Sequence, residues 1–257
     1  MKELDLAIEA ARQAGAIVRS LYGTGLPAVE KGDRGDSPLT AADTRANEVL
    51  RRAITEAFPD DGWLSEESRD TADRLVKRRV WIVDPLDGTK EFVRTIPELA
   101  VCVALVDNGI PIVGVTYNPI REELFAAARG AGARCNGQPI RVSEVSELRR
   151  AVVLASRSET ERGEWERFRG RFGLEVCGSV AYKLARIAAG RGDATFSLTP
   201  KNEWDVCSSA CLVECAGGRV TDLAGEPLRY NRRNPTRTGL IASNGLLHEE
   251  LLELVRR

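Results

Sequence analysis

Two aspartates three residues apart, Asp84 and Asp87, stand in the segment WIVDPLDGTKEF (81–92), after an apolar run and before Gly88-Thr89. Their carboxylates can reach one small volume at a strand end, and the amide groups around Gly88 and Thr89 can face an anion there. Hard carboxylate oxygens beside exposed amide donors suit a magnesium ion and a phosphate held together. Acids in three further segments stand out. Glu66 and Glu67 lie in LSEES at a strand end, Asp43 in the first turn of a helix beginning TAAD, and Asp205 in the first turn of a helix beginning WDVCSSA. Taken singly, each reads as a helix-start or surface charge.

The remaining composition removes the competing chemistries. The one histidine, His248, falls in NGLLHEELLELVRR and reads as a solvated residue of a terminal amphipathic helix. Serine–histidine–aspartate hydrolysis, histidine phosphotransfer and His-rich zinc sites therefore have almost no material. None of the six cysteines forms CxxC. Cys207, Cys211 and Cys215 share one helical face and read as small buried apolar side chains, with a soft-metal or redox site as the alternative. Charged residues make up 29% and hydrophobic ones 43%, the balance of an ordinary soluble protein, and the net charge is −1. No global field recruits a nucleic acid polymer or an anionic membrane, so attraction for an anionic substrate must be local. Lysine is a compact phosphate-binding charge, and three of the few lysines, Lys90, Lys183 and Lys201, lie beside Gly-Ser, Trp-Asp or DPLDGT segments. No apolar run approaches a membrane span, and the N-terminus is unlike a signal peptide; a cytoplasmic location is expected.

The elements that must position these residues follow from periodicity. Residues 3–22 and Thr40–Phe58 read as helices, with a loop over 31–39 between them. A short strand at Trp81–Val83 leads to two β-rich runs joined by Asn108-Gly109, a hairpin signal, and an antiparallel meander through Val142. Beyond 147 the rhythm changes: strand 151–156, a polar helix 161–171, helix 179–190, strand 194–198, helix 204–218, strand 239–243 and a final helix. This is an α+β first half and an α/β second half.

The set DxxDGT, SEES and upstream TAAD, with WD far downstream, resembles the inositol monophosphatase superfamily of magnesium-dependent, lithium-sensitive phosphatases. The resemblance covers essentially the whole chain. It implies a two-domain αβαβα layered sandwich of the sugar-phosphatase type, with domains at 1–147 and 148–257, and two or three magnesium ions in the cleft between them. Carried over residue by residue, it implies that Glu66, Asp84 and the Leu86 carbonyl hold one ion. Asp84, Asp87 and Asp205 hold a second. The Gly88 and Thr89 amides grip the phosphate, while Glu66 and Thr89, the latter hydrogen-bonded to Asp43, orient the attacking water. The expected partner is a small phosphate ester, and the resemblance leaves both a monomer and a homodimer open.

Within that superfamily, DPLDGTKEF, LSEE, ASRSE and GSxxxK look like the bacterial 3′(2′),5′-bisphosphate nucleotidase branch, which serves sulfate assimilation. Inositol phosphatases typically read DPIDGTTNF and carry an acid seven residues before the helix aspartate; here that position is Leu198. In the nucleotidase reading Gly178, Ser179 and Lys183 face the nucleotide, and Arg157 is a further candidate for an anionic group. Ser179 also reads as a helix N-cap. The alternative is an inositol-1-phosphate or fructose-1,6-bisphosphate phosphatase.

Overall fold

Apolar residues at helical spacing bury Ala7, Ala11, Ala14 and Val18 on one face of α1 (Lys2–Leu21). The same periodicity buries Ala42, Ala46, Leu50 and Ile54 in α2 (Ala41–Ala57), whose Thr40–Asp43 capping box fixes its start. The computed structural model describes residues 1–30 and 38–256. Most of the expected 31–39 loop lies outside the described residues; β1 (Val29–Glu30) and β2 (Pro38–Leu39) pair at its ends.

Both helices cover one face of a seven-stranded sheet, ordered β3-β4-β5-β6-β7-β8-β9. Its strands are β3 (Gly62–Ser65), β4 (Arg79–Asp87), β5 (Ala100–Asp107), β6 (Ile110–Asn118), β7 (Glu123–Ala128), β8 (Gly132–Cys135) and β9 (Gln138–Ile140). Only β3 and β4 run parallel. The hairpin at Asn108-Gly109 forms, with both residues at positive φ. The short strand expected at 81–83 is longer, because β4 is buried along most of its length between helices on its two faces.

A short helix α3 (Thr89–Val93) follows β4. After β9 come β10 (Val152–Ser156), α4 (Arg157–Glu161), β11 (Gly173–Cys177), α5 (Val180–Ala188), β12 (Ala194–Ser197) and β13 (Lys201–Asn202). The chain continues through α6 (Glu203–Cys215), β14 (Arg219–Thr221), β15 (Thr236–Arg237), β16 (Leu240–Ser243) and α7 (His248–Arg256). The second sheet has the order β11-β10-β12-β16-β14; its first three strands are parallel and the rest antiparallel. Helices α5 and α6 fill the layer between the two sheets. A third apolar cluster lies on the far side of the second sheet, beneath α7. The fold is a mixed α/β sandwich of five layers, helix–sheet–helix–sheet–helix. Because α6 is covered from both sides, Cys207 and Cys211 are buried as small apolar groups, and Cys215 at the helix end is half-buried.

Two expectations need correction. The polar helix over 161–171 is replaced by α4 and a 3-10 turn at Glu166–Phe168. Gly163, at φ 77°, breaks the helix, and Trp165 and Phe168 turn into the third cluster. His248 is not solvated but fully buried, on the same face as Leu251 and Leu252. Its ring lies between Thr221 Oγ1 and Ser243 Oγ, each 2.9 Å away. Burial pushes its pKa from the ordinary 6.5 down to about 4. The unfolded chain therefore takes up a proton that the folded ring refuses. The neutral ring's contribution is fully present above pH 6.5 and lost as pH falls toward 4. His248→Gln should flatten the acid limb of chemical-denaturation stability by roughly 2–3 kcal/mol. An acid limb identical to that of the wild type would refute this role.

Candidate active site

A strand places residues three apart on opposite faces, so Asp84 and Asp87 need a break in the pleat to act together. β4 supplies it. Asp84 pairs with Cys102 and Asp87 with Ala100, so three steps on one strand match two on the other. This extra residue is a bulge that re-aims the strand end. Asp84 is buried, and its Oδ1 accepts the Leu86 N–H at 2.9 Å. Gly88 then turns the chain at φ 98°, and a Cβ there would sit 2.9 Å from the Glu98 carbonyl. Only glycine meets both conditions. The turn opens α3 at Thr89.

The acids expected from distant segments converge. One carboxylate oxygen from each of Glu66, Asp84 and Asp205 lies within 4.8 Å of the others. Glu66 follows the end of β3, Asp84 lies in β4, and Asp205 is the third residue of α6, where the Asn202 N–H holds its Oδ2 at 2.8 Å. Asp87 lies outside this group of three. Its Oδ2 accepts from Ser179 Oγ at 2.5 Å and the Ala181 N–H at 2.7 Å, at the start of α5. Any cation contact from Asp87 is thus left to Oδ1. Glu67 is not in the group either.

Crowding of like charge shows in the proton affinities. Burial pushes the Asp84 carboxyl well above its usual range, and the charges of Glu66, Asp87 and Asp205 push the same way. Burial also raises Asp205, with Asp87 and Glu66 adding. Burial raises Asp87, against the lowering effect of its bonds from Ser179 and Ala181. Carboxylates gathered from three elements into one buried volume are costly without a cation and stabilising around one. An all-oxygen donor set with no sulfur or imidazole fits magnesium.

Asp43 meets Thr89 as expected: Thr89 Oγ1 donates to Asp43 Oδ1 at 2.9 Å, with the Leu86 carbonyl at 3.1 Å as its other acceptor. Asp43 Oδ2 accepts from both the Thr40 N–H and hydroxyl, so the carboxylate is fixed from both sides.

Glu66, Asp84, Asp87, Thr89 and Asp205 line a cleft of about 240 Å³ together with Gly88, Gly178, Ser179 and Lys183, and Asp43 stands behind Thr89 outside that lining. Ser179 caps α5 by accepting the Tyr182 N–H at 3.0 Å, at the unusual φ of 54°. Lys183 is 3% exposed. Burial lowers its ammonium pKa below the lysine range, opposed by Glu159 and Asp87. Lys90 also lines the cleft. Lys201 is tied to buried Glu159, which also accepts from Ser197 and Thr199. Arg157 is engaged by Glu98 at 2.7 Å and Glu91 at 3.8 Å within the chain itself. Glu98 also accepts the Gly178 N–H at 2.6 Å, a link that sequence reasoning missed because the two residues are 80 apart. Leu198 packs against the third apolar cluster and lies outside the cleft.

The inositol monophosphatase family model matches residues 2–257. The chain belongs to the inositol monophosphatase family. Members of this family hydrolyse phosphate monoesters. Inositol monophosphatase 3 of Solanum lycopersicum is 36% identical over 248 residues, 91% of each chain. The 3′(2′),5′-bisphosphate nucleotidase CysQ of Shigella flexneri is 34% identical over 235 residues, 90% of this chain and 94% of its own. Among solved structures, the IMPase of Thermotoga maritima superposes with a TM-score of 0.88 at 32% identity, covering 100% of this chain and 97% of that one. Two family branches match at nearly equal identity, so the choice of substrate must come from the cleft.

Proposed function

We propose that this family phosphatase removes the 3′-phosphate of 3′-phosphoadenosine 5′-phosphate with magnesium as cofactor, giving AMP and phosphate. The observation that carries the reading is a cleft lined by both the Glu66–Asp84–Asp205 group and buried Lys183. A substrate with a second anionic group has a cationic partner there. A polyol gets no acceptor from position 198, where Leu198 faces apolar packing instead. Clearing this nucleotide would support sulfate assimilation.

In this reading Glu66, Asp84 and the Leu86 carbonyl hold one magnesium ion, and Asp84, Asp87 and Asp205 hold a second. Bound cations would neutralise the ester's charge, acidify water and stabilise the leaving oxygen. The chain's own groups supply position. The Gly88 and Thr89 amides hold phosphate oxygens, and Ser179, with Gly178, orients the sugar side. Thr89 passes its hydroxyl proton toward Asp43 and so presents an acceptor lone pair to the attacking water, with Glu66 as the second orienting group.

A second reading, hydrolysis of inositol 1-phosphate or fructose 1,6-bisphosphate, is favoured by the similarity to the Solanum inositol monophosphatase and to the fructose-1,6-bisphosphatase/inositol-1-monophosphatase of Thermotoga maritima. Initial rates with magnesium on all three substrates separate the readings. The nucleotide should win in kcat/KM by about tenfold or more, a gap of roughly 1.4 kcal/mol. Faster turnover of either sugar phosphate would reverse the choice.

A further inference from the structure

Glu66 and Asp205 reach Asp84 from different layers, one from the end of edge strand β3 and the other from the first turn of α6. β3, which ends one residue before Glu66, is the outermost strand of its sheet and pairs only with β4. Asp205 sits at the first turn of α6, in the middle layer. A part-buried hydrogen-bond chain runs from Arg74, beside β3, to the start of α6. Arg74 packs on the start of β3, where a Cβ on Gly62 would come within 3.2 Å of the Arg74 Cβ. Its guanidinium, 2% exposed as a residue, grips Asp70 through Nε and Nη2 at 2.7 Å each. Nη1 donates to Asn231 Oδ1 at 2.7 Å, and Asn231 Nδ2 donates back to the Arg74 carbonyl at 3.0 Å. The Asn231 N–H then donates to Glu203 Oε2 at 2.7 Å, and the Arg232 N–H to Oε1 at 3.1 Å. Glu203 is fully buried and opens α6, two residues before Asp205.

We propose that Arg74, Asn231 and Glu203 form a positioning clasp that sets the spacing of Glu66 and Asp205, and thereby the affinity of the three-acid group for divalent cations. The proposal rests on the metal-binding reading above. Three carboxylates confined within 4.8 Å repel one another, so something must hold their carriers together. β4 carries Asp84 and takes the Glu66 N–H on its Val83 carbonyl at 3.3 Å, but the tie from this edge of the sheet to α6 has to come from elsewhere. From Arg74, packed on the edge strand, the clasp reaches α6 through five hydrogen bonds, with Asp70 holding the guanidinium by two more, and none of them touches substrate or the acids themselves. Partners of this kind, one step removed from the ligands, hold donor spacing and so tune metal affinity.

Asn231 offers a clean test because its φ is +61°, a conformation glycine adopts freely. Asn231→Gly removes both side-chain hydrogen bonds with Arg74, and keeps the Arg74 Nη2 bond to the Arg232 carbonyl at 3.0 Å and the backbone donor to Glu203. Magnesium affinity of the full chain is measured by calorimetry, with terbium luminescence as a second probe and the melting temperature recorded in chelator. Asn231→Gly should weaken cation binding by roughly tenfold, and Arg74→Lys, which keeps the charge but loses the fork, should do likewise. The control is Arg129→Met, which breaks the 2.5 Å pair with Glu214 at the far end of α6 and should leave cation affinity unchanged. Affinity of Asn231→Gly within about twofold of wild type would overturn the clasp, as would an equal loss in Arg129→Met. If Asn231→Gly fails to fold, Arg74→Lys decides on the same criteria. Absence of divalent-cation binding by the wild type would overturn the metal reading itself, a result distinct from failure of the clasp.

Discussion

Asp84→Asn is expected to lower kcat for phosphate-ester hydrolysis by at least about 10³-fold while making the cation-free protein more stable. The two effects have one cause. Asp84 is buried, its carboxyl is raised well above the usual range by that burial, and Glu66, Asp87 and Asp205 add repulsion. An asparagine keeps the shape and can still accept the Leu86 N–H, but removes one negative charge from the group. Relief of about 1 kcal/mol corresponds to a rise of roughly 2–4 °C in melting temperature for a chain of this size. The same change deletes the charge on which both proposed cation sites depend. Magnesium should therefore raise the melting temperature of the wild type and leave the variant unmoved. Scanning fluorimetry in chelator and in magnesium measures both halves. A variant less stable than wild type in chelator, yet equally stabilised by magnesium, would remove Asp84 from the cation site.

Asp84 and Asp87 stood out from the chain because hard-cation chemistry restricts residue type, whereas Glu66 and Asp205, which singly read as ordinary charges, were picked out through the family resemblance. The fold places Glu66 after β3, Asp84 in β4 and Asp205 at the start of α6. What was not legible is how a three-residue spacing in a strand becomes convergence. The bulge between Asp84 and Asp87 depends on pairing with Ala100 and Cys102, which only the folded sheet specifies. The engagement of Asp87 Oδ2 by the start of α5 was hidden for the same reason, since Ser179 lies 92 residues away. The clasp between Arg74 and Asn231 spans 157 residues and has no local signature at all. His248 differs, because its position relative to Leu251 and Leu252 already marks the buried face of α7. Polarity argued for solvent and periodicity for the core. Two hydroxyls waiting at Thr221 and Ser243 decided for the core.

The layer order also explains why the acids can be gathered so densely. Helix α6 is buried between two sheets, so its first turn opens into the space beside the end of β4 rather than into solvent. The cost of placing Asp205 there is carried by apolar packing along the rest of the helix, from Val206 to Val213. The crowded charge at the start of α6 and the buried run along the rest of it belong to one element, which is the arrangement expected where a site stores electrostatic repulsion for later use by a ligand.

Thr89→Val should isolate proton handling from cation binding. Valine keeps the β-branched shape and the backbone N–H, so α3 and the amide donors are preserved. Lost is the hydroxyl that donates to Asp43 Oδ1 at 2.9 Å. Asp43 is not left unpaired, because Thr40 still donates twice to its other oxygen. The stability penalty should thus stay near 1 kcal/mol, the net worth of one hydrogen bond. In the proposed arrangement the hydroxyl orients the attacking water and passes its own proton toward Asp43, a role whose removal costs roughly 10²–10³-fold in kcat. KM and the magnesium requirement should change little, since Thr89 is not among the proposed cation ligands. Thr89→Ser restores the hydroxyl and should recover most of the rate. Asp43→Asn should cause a loss similar to Thr89→Val, and the double variant should be scarcely worse than either, because the pair acts as one unit. Retention of more than about a tenth of wild-type kcat by Thr89→Val would remove the threonine from water activation. A serine variant as impaired as the valine one would point instead to the methyl group's packing.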